Sequence, residues 1–139
     1  MSIRKIYLAC FFILAAFAFL SCKKGDEVKL PYISLRTGNG YTANNVTLPA
    51  MSEFKIGINA SKSENVDVLT KFDITKTVGS QTGINVYNTS LTGADGDSYS
   101  YDYTGTVDDI AGQIVKYTFT VTSRDGLTNQ VSLNITTQP

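Results

Sequence analysis

Histidine and tryptophan are absent from this sequence of 139 residues, and cysteine occurs only twice. Without histidine, neither a Ser-His-Asp nor a Cys-His catalytic arrangement can form, and zinc sites built from histidine and cysteine are excluded as well. Paired carboxylates could still serve a glycosidase. Most acidic residues, however, lie in predicted loops or on solvent-facing strand positions, which do not suit acid catalysis. We therefore predict a protein that is not an enzyme and holds no cofactor.

An excess of charge of one sign is also lacking, since twelve basic residues balance twelve acidic ones. If Arg4 and Lys5 are lost with the N-terminal segment described next, ten basic residues remain against the twelve acidic ones. No basic stripe is present, which argues against nucleic acid as a partner. The same balance argues against electrostatic binding to anionic lipid.

One long apolar run lies at the N-terminus. It covers residues 6–20, follows Arg4 and Lys5, and ends at the small residue Ser21, which is the layout of a secretory signal peptide. The alternative is an uncleaved transmembrane helix. The run is shorter than the roughly 20 residues that a span needs, and the two lysines that follow leave positive charge on both flanks. We therefore expect residues 1–21 to be removed.

The two cysteines, Cys10 and Cys22, are separated by this cleavage. Cys10 lies inside the apolar run, so the remaining chain begins with its single cysteine and cannot form an internal disulfide. The tetrapeptide Phe19-Leu20-Ser21-Cys22 resembles a lipobox, at which a signal peptidase cuts after lipid is attached to the cysteine thiol. It departs from the common Leu-Ala/Ser-Gly/Ala-Cys pattern at three positions but keeps a small residue before the cysteine.

The charged stretch Lys23–Glu27 is similar to that of lipoproteins of the Bacteroidota, in which such a stretch resembles a signal for the cell surface. The resemblance implies lipidation of Cys22 and anchoring in the bacterial outer membrane. It also implies display on the cell surface, with the periplasmic face as the alternative. We expect residues 22–30 to form the lipidated cysteine and a charged tether, and residues 31–139 to form one domain.

The remaining chain is rich in Thr, Ser, Asn, Val, Ile and Tyr, which suit strands and turns. Short segments of alternating polarity predict seven or eight strands. They cover residues 33–35, 46–48, 53–60, 66–75, 84–88, 98–104, 115–122 and 131–135. In the fourth segment, Val66, Val68, Phe72 and Ile74 share a face, and Leu69 is out of phase, which indicates a bulge.

Alternation also predicts which side chains form the core. The threonines between them should be exposed. The predicted core residues are Phe54, Ile56, Ile58, Phe72, Ile74, Tyr117, Phe119, Val121, Val131, Leu133 and Ile135.

Strands at this spacing predict an antiparallel β-sandwich of the immunoglobulin-like kind, with a jelly roll or a small β-barrel as alternatives. The Cys–Trp–Cys signature of true immunoglobulin domains is missing. The segment Tyr117–Gly126, followed by Val131–Ile135, resembles the closing strands of bacterial immunoglobulin-like, cadherin-like and PKD-type domains. The chain as a whole resembles small Bacteroidota lipoproteins of unknown activity, and this resemblance implies a fold and a location only.

Two sets of residues are weak candidates for ligand binding. Asp95, Asp97, Asp108 and Asp109 could supply oxygen ligands for calcium, although aspartate and glycine are also good turn residues. Tyr99, Tyr101 and Tyr103 could stack on sugar rings, although their period of two is also that of a core-facing strand. We favour the turn and core interpretations.

These observations leave three hypotheses for function: a membrane-anchored adhesion or interaction module, an accessory glycan-binding lipoprotein of a polysaccharide-uptake system, and a calcium-dependent domain. We favour the first, with an unidentified protein or glycan partner. The connections are the segments free to vary without unfolding the domain. The longer ones are Thr37–Asn45, Ser61–Asn65, Gly93–Asp97 and Val107–Gln113. Since the tether leads into the first strand, we expect a partner to bind at the opposite end.

Overall fold

A computed structural model describes residues 28–139, so Cys22, the signal segment and most of the tether lie outside the described residues. No helix in the described part is both long and apolar enough to cross a membrane. The elements in chain order are β1 (Tyr32–Leu35), β2 (Val46–Leu48), β3 (Glu53–Ser61), β4 (Leu69–Val78), β5 (Ile84–Ser90), α1 (Ala94–Asp97), β6 (Ser98–Thr106), β7 (Ile114–Ser123) and β8 (Thr128–Thr137).

Within residues 28–139 these eight strands form two sheets. One sheet has three strands in the order β1-β3-β6, and the other has five in the order β2-β8-β7-β4-β5. Every pair is antiparallel except β2 and β8, which run parallel. The prediction of an all-β arrangement with seven or eight strands is confirmed. The barrel alternative is wrong, because no strand of one sheet pairs with a strand of the other.

The two sheets enclose one core between their inward faces. Ten of the eleven predicted core residues are buried there, and Val131 is only partly buried. The reason for this exception is the short edge strand β2, which pairs with β8 only from Ile135 to Thr137 and leaves the part of β8 around Val131 uncovered. Further buried apolar side chains are Ala60, Leu69, Leu91, Val107 and Val115.

The threonines of β7 differ from the prediction. Thr118, Thr120 and Thr122 point outward, as expected, but they are half-buried rather than exposed. Strand β7 lies in the middle of its sheet, between β4 and β8, so side chains of both neighbours cover part of its outer face.

The start of β4 also differs from the prediction. The strand begins at Leu69, which is completely buried, whereas Val66 precedes the strand and is exposed. The predicted bulge is confirmed: Leu69 pairs with Ser123 and Lys71 with Thr122, so Thr70 is an extra residue. Because of this extra residue, Leu69 and Phe72 both face inward despite their odd spacing. Placing Val66 on the inward face was therefore wrong.

The segment Gly93–Asp97 is not an irregular loop. Gly93 has a φ of 60°, and the helical turn α1 follows it directly. Gly96 approaches the backbone of β4 so closely that a Cβ there would lie 3.3 Å from the carbonyl oxygen of Leu69. This turn carries the chain from the five-stranded sheet to the three-stranded one.

Candidate functional site

The strand registers bring the connections together at two ends of the sandwich. Tyr32, the first residue of β1, pairs with the last residue of β3, so the N-terminal segment enters beside the β3–β4 connection. We call this end the proximal pole; it comprises residues 28–31, 62–68, 91–97 and 124–127. We call the opposite end the distal pole; it comprises the connections 49–52, 79–83 and 107–113.

The four loops predicted as candidates therefore separate. Ser61–Asn65 and Gly93–Asp97 lie at the proximal pole, and Val107–Gln113 lies at the distal pole. Thr37–Asn45 belongs to neither pole, because it follows the edge of β3. Its path is fixed by backbone hydrogen bonds from Arg36 to the Gly57 carbonyl (2.7 Å) and from Thr42 to the Lys55 carbonyl (2.7 Å).

The distal pole presents apolar side chains to solvent. Met51 is 68% exposed and Ile110 is 60% exposed, and Ile114 at the start of β7 is also exposed. Met51 has a φ of 62°, and within residues 28–139 no other residue apart from glycines has a positive φ. A methionine pays an energetic cost in this region of φ that glycine would not. The backbone is therefore strained at a point where a large apolar side chain points outward.

Backbone hydrogen bonds hold this strained turn against the neighbouring connection. The Met51 amide donates to the Val107 carbonyl (3.1 Å), and the Val107 amide donates to the Ser52 carbonyl (2.9 Å). Ser52 also closes its own turn through a bond from its hydroxyl to the Pro49 carbonyl (2.6 Å). The two connections are thus fixed to each other, and the turn that carries Met51 has a defined conformation.

The 107–113 connection is anchored to the sheet as well. A half-buried ion pair joins Lys76 of β4 to Asp108 at 3.0 Å. The Gly112 amide donates to the Thr137 carbonyl (3.0 Å), and the Thr137 amide donates to the Gln113 carbonyl (2.9 Å). Ile110 is therefore carried by a connection with fixed ends.

The four candidate calcium ligands lie at opposite poles. Asp95 and Asp97 belong to α1 at the proximal pole, whereas Asp108 and Asp109 belong to the distal pole. Two of these carboxylates already face cations, since Lys62 pairs with Asp97 and Lys76 pairs with Asp108. Among residues 28–139, no group of three or more His, Cys, Asp or Glu side chains is arranged to hold a metal ion.

The candidate stacking residues Tyr99, Tyr101 and Tyr103 lie on the inward face of β6 and are half-buried. The ring centroids of Tyr99 and Phe72 are 5.3 Å apart, and those of Tyr101 and Tyr87 are 4.6 Å apart in a stacked arrangement. Burial, reinforced by the neighbouring Tyr87, raises the pKa of both Tyr99 and Tyr101. The ring faces are thus occupied by other aromatic residues of the chain.

Sequence reasoning missed a polar cluster on the outer face of the three-stranded sheet. The Arg36 guanidinium donates to the Tyr41 hydroxyl (2.7 Å) and to Asp102 (2.9 Å), and the Tyr41 hydroxyl donates to the second Asp102 oxygen (3.0 Å). Lys55 lies 3.1 Å from the same carboxylate. We call these four residues the Asp102 cluster. Both cations also lie over the Tyr41 ring, at 5.3 Å for Arg36 and 4.9 Å for Lys55.

In the Asp102 cluster, the carboxylate is paired with two cations and accepts a hydrogen bond from the Tyr41 hydroxyl. Partial desolvation raises the pKa of Asp102, but hydrogen bonds from Lys55 and Tyr41 and the charges of Lys55 and Arg36 outweigh it, so the pKa lies below its ordinary value. The Asp102 carboxylate therefore stays ionised and paired. The cluster fastens the 36–45 connection to β3 and β6, and Gly57 beneath the Tyr41 ring is the local signal in the sequence that could have indicated it.

No protein-family model matches the chain, and no curated protein is similar in sequence. The solved structures that the chain matches include the following two. A superoxide reductase (neelaredoxin) from Ignicoccus hospitalis has a TM-score of 0.52 and 7% identity, over 79% of this chain and 81% of that one. The sporulation control protein Spo0M from Bacillus subtilis has a TM-score of 0.47 and 8% identity, over 81% of this chain and 51% of that one. At 7% identity, the similarity between this chain and the superoxide reductase concerns the fold alone.

Proposed function

We propose that this protein is a lipid-anchored, non-catalytic interaction module of the bacterial outer membrane. In this proposal Cys22 carries the lipid, a short charged tether leads to the proximal pole, and the distal pole contacts a protein partner. The observation that supports it most is the exposed and strained Met51, which shares the pole opposite the chain's point of entry with exposed Ile110.

The entry point is fixed by contacts with the β3–β4 connection and with the five-stranded sheet. In the connection, Glu64 forms an ion pair with Lys29 (2.8 Å), and the Ser63 hydroxyl donates to the Lys29 carbonyl (3.1 Å). In β8 of the five-stranded sheet, the Asn129 side chain donates to the Pro31 carbonyl (2.9 Å). An anchor at Cys22 would therefore hold the proximal pole toward the membrane, and the distal pole would point away from it.

We also propose that the sandwich is of the immunoglobulin-like kind. If the strands are lettered as in immunoglobulin domains, β1, β3 and β6 take the positions A, B and E of one sheet. In the other sheet, β8, β7 and β4 take the positions G, F and C, and β5 extends this sheet beyond C. This order supports an immunoglobulin-like sandwich, in which the connections at the two ends of the sheets are the usual places for binding.

The chemistry of the distal pole favours a protein partner. Exposed methionine and isoleucine side chains on fixed backbone suit an apolar pocket, and methionine adapts its shape to the surface that it meets. Asp109 is exposed on the same connection as Ile110, so a basic group beside that pocket would complement it. The glycan-binding alternative has less support, because the tyrosines that it would use face inward.

A site-specific crosslinking experiment tests this assignment. A photo-reactive residue at position 110 of the full-length protein, expressed in its own host, should give a defined adduct with a membrane-associated or extracellular protein. The matched control places the same residue at exposed Ser132, on the outer face of the five-stranded sheet. Met51→Asp should reduce the adduct at position 110 severalfold. An adduct from position 132 and none from position 110 would contradict the assignment.

A further inference from the structure

The proximal pole carries its own set of exposed apolar side chains. Val66 is 74% exposed and Val28 is 70% exposed, and Leu30 and Tyr32 are exposed as well. Val28 and Val66 line the same shallow hollow together with Leu127. Tyr32 points outward from β1, because its neighbour Ile33 packs against the core. Both poles of the sandwich therefore expose apolar side chains.

Chain length limits what can cover this surface. Val28 follows Cys22 by six positions, with five residues between them. Even in a fully extended chain, six steps from one Cα to the next span only about 20 Å. If Cys22 is lipidated, the proximal pole cannot move farther than this from the lipid headgroups, and little room is left for a partner protein beneath it. An aromatic residue with a polar tip beside aliphatic side chains is also the usual composition of a membrane–water interface.

We infer that the proximal pole rests on the membrane, with Val28, Leu30, Tyr32 and Val66 in the interfacial layer of the bilayer. This inference rests on the proposed lipid anchor and adds a second contact to it. Two contacts would fix the orientation of the domain more firmly than the lipid anchor alone.

The contact is apolar rather than electrostatic. The lysines at the pole are already paired with acidic residues, Lys29 with Glu64 and Lys62 with Asp97. The Arg124 guanidinium donates to the Val66 carbonyl (2.6 Å), so it is directed toward the chain's own backbone. We therefore expect the contact to form on uncharged phosphatidylcholine membranes and to be insensitive to salt.

Spin labelling of the lipidated protein tests the inference. After processing, the acylated Cys22 is the only cysteine of the chain, so a cysteine introduced at position 66 can be labelled selectively with a nitroxide. The protein is reconstituted in phosphatidylcholine vesicles, and the accessibility of the label to oxygen and to a water-soluble nickel complex is measured. Ile110→Cys is the matched control, because Ile110 is similarly apolar and exposed at the opposite pole.

We expect the label at position 66 to be accessible to oxygen and protected from nickel, and the label at position 110 to be accessible to nickel. Adding Val28→Asp should increase the nickel accessibility of the label at position 66, whereas raising the salt concentration should not. Two water-exposed labels on protein that floats with the vesicles would overturn the inference and leave the anchor intact. Equal lipid exposure at both positions would also overturn it. Protein that does not float with the vesicles would instead refute the proposed anchor.

Discussion

Phe119 lies at the centre of the core, where its side chain has no exposed surface and its ring centroid is 6.4 Å from that of Phe72. We expect Phe119→Ala to lower the free energy of unfolding by about 3–5 kcal/mol, because the cavity cannot fully close. The matched control is Thr120→Ala, one position along on the outer face, which should change it by less than about 0.5 kcal/mol. Urea unfolding measures both, and equal losses would mean that the strand faces are assigned wrongly.

Gly57 is a second residue whose role can be measured. A Cβ at this position would lie 2.6 Å from the Tyr41 ring and 3.0 Å from the Arg36 Cβ. We expect Gly57→Ala to displace the ring and to cost about 1–3 kcal/mol of stability, as overpacking does. In a Tyr41→Ala background the same substitution should cost less, which a double-mutant cycle would reveal. An unchanged cost in that background would show that Tyr41 is not the obstacle.

At the scale of single residues, local alternation predicts burial well and predicts clusters poorly. Each strand shows in its own sequence which side chains face inward, so ten of the eleven predicted core residues are buried. The Asp102 cluster joins residues of a connection to residues of β3 and β6. Gly57 in β3 indicates a close approach, but no local pattern shows the register that brings these residues together. The positive φ of Met51 is equally invisible, since neither glycine nor asparagine occupies that position.

At the scale of elements, the Asp102 cluster attaches the 36–45 connection to β3 and β6. We expect its contribution to the stability of the protein to depend on pH. The pKa of Asp102 is lowered in the folded protein from an ordinary value of 3.8. Its contribution to stability is therefore complete above about pH 5 and fades as the pH falls through the lower folded value. We expect Asp102→Asn to be less stable than wild type at pH 7, and the difference to shrink as the pH is lowered below 3.8. A difference that stays constant across this range would contradict the argument.

The same scale shows why the start of β4 was predicted incorrectly. Strict alternation with a period of two would place Val66 on the same face of the strand as Phe72. The extra residue Thr70 moves every residue before it to the opposite face. The sequence indicates the bulge, because Leu69 is out of phase. It does not indicate that the strand begins at Leu69, since that boundary depends on pairing with Ser123 of a distant strand.

At the scale of the whole molecule, the sequence predicts the number of strands but not which connections share a pole. Strand order decides that point, and strand order follows from pairs as distant in the chain as β2 with β8 and β3 with β6. Once the order is known, the candidate site changes from four scattered loops to one pole, with Met51 and Ile110 on fixed connections. The aspartates considered for calcium fall at opposite poles for the same reason.

The roles proposed for the two poles depend on lipidation of Cys22. Mass spectrometry of the N-terminal peptide from the native protein is the most direct test. We expect a peptide that begins at Cys22 and carries acyl chains, and we expect Cys22→Ala to remain unprocessed and to lose its lipid. A peptide that retains residues before position 22, or one with an unmodified Cys22 thiol, would contradict the central claim.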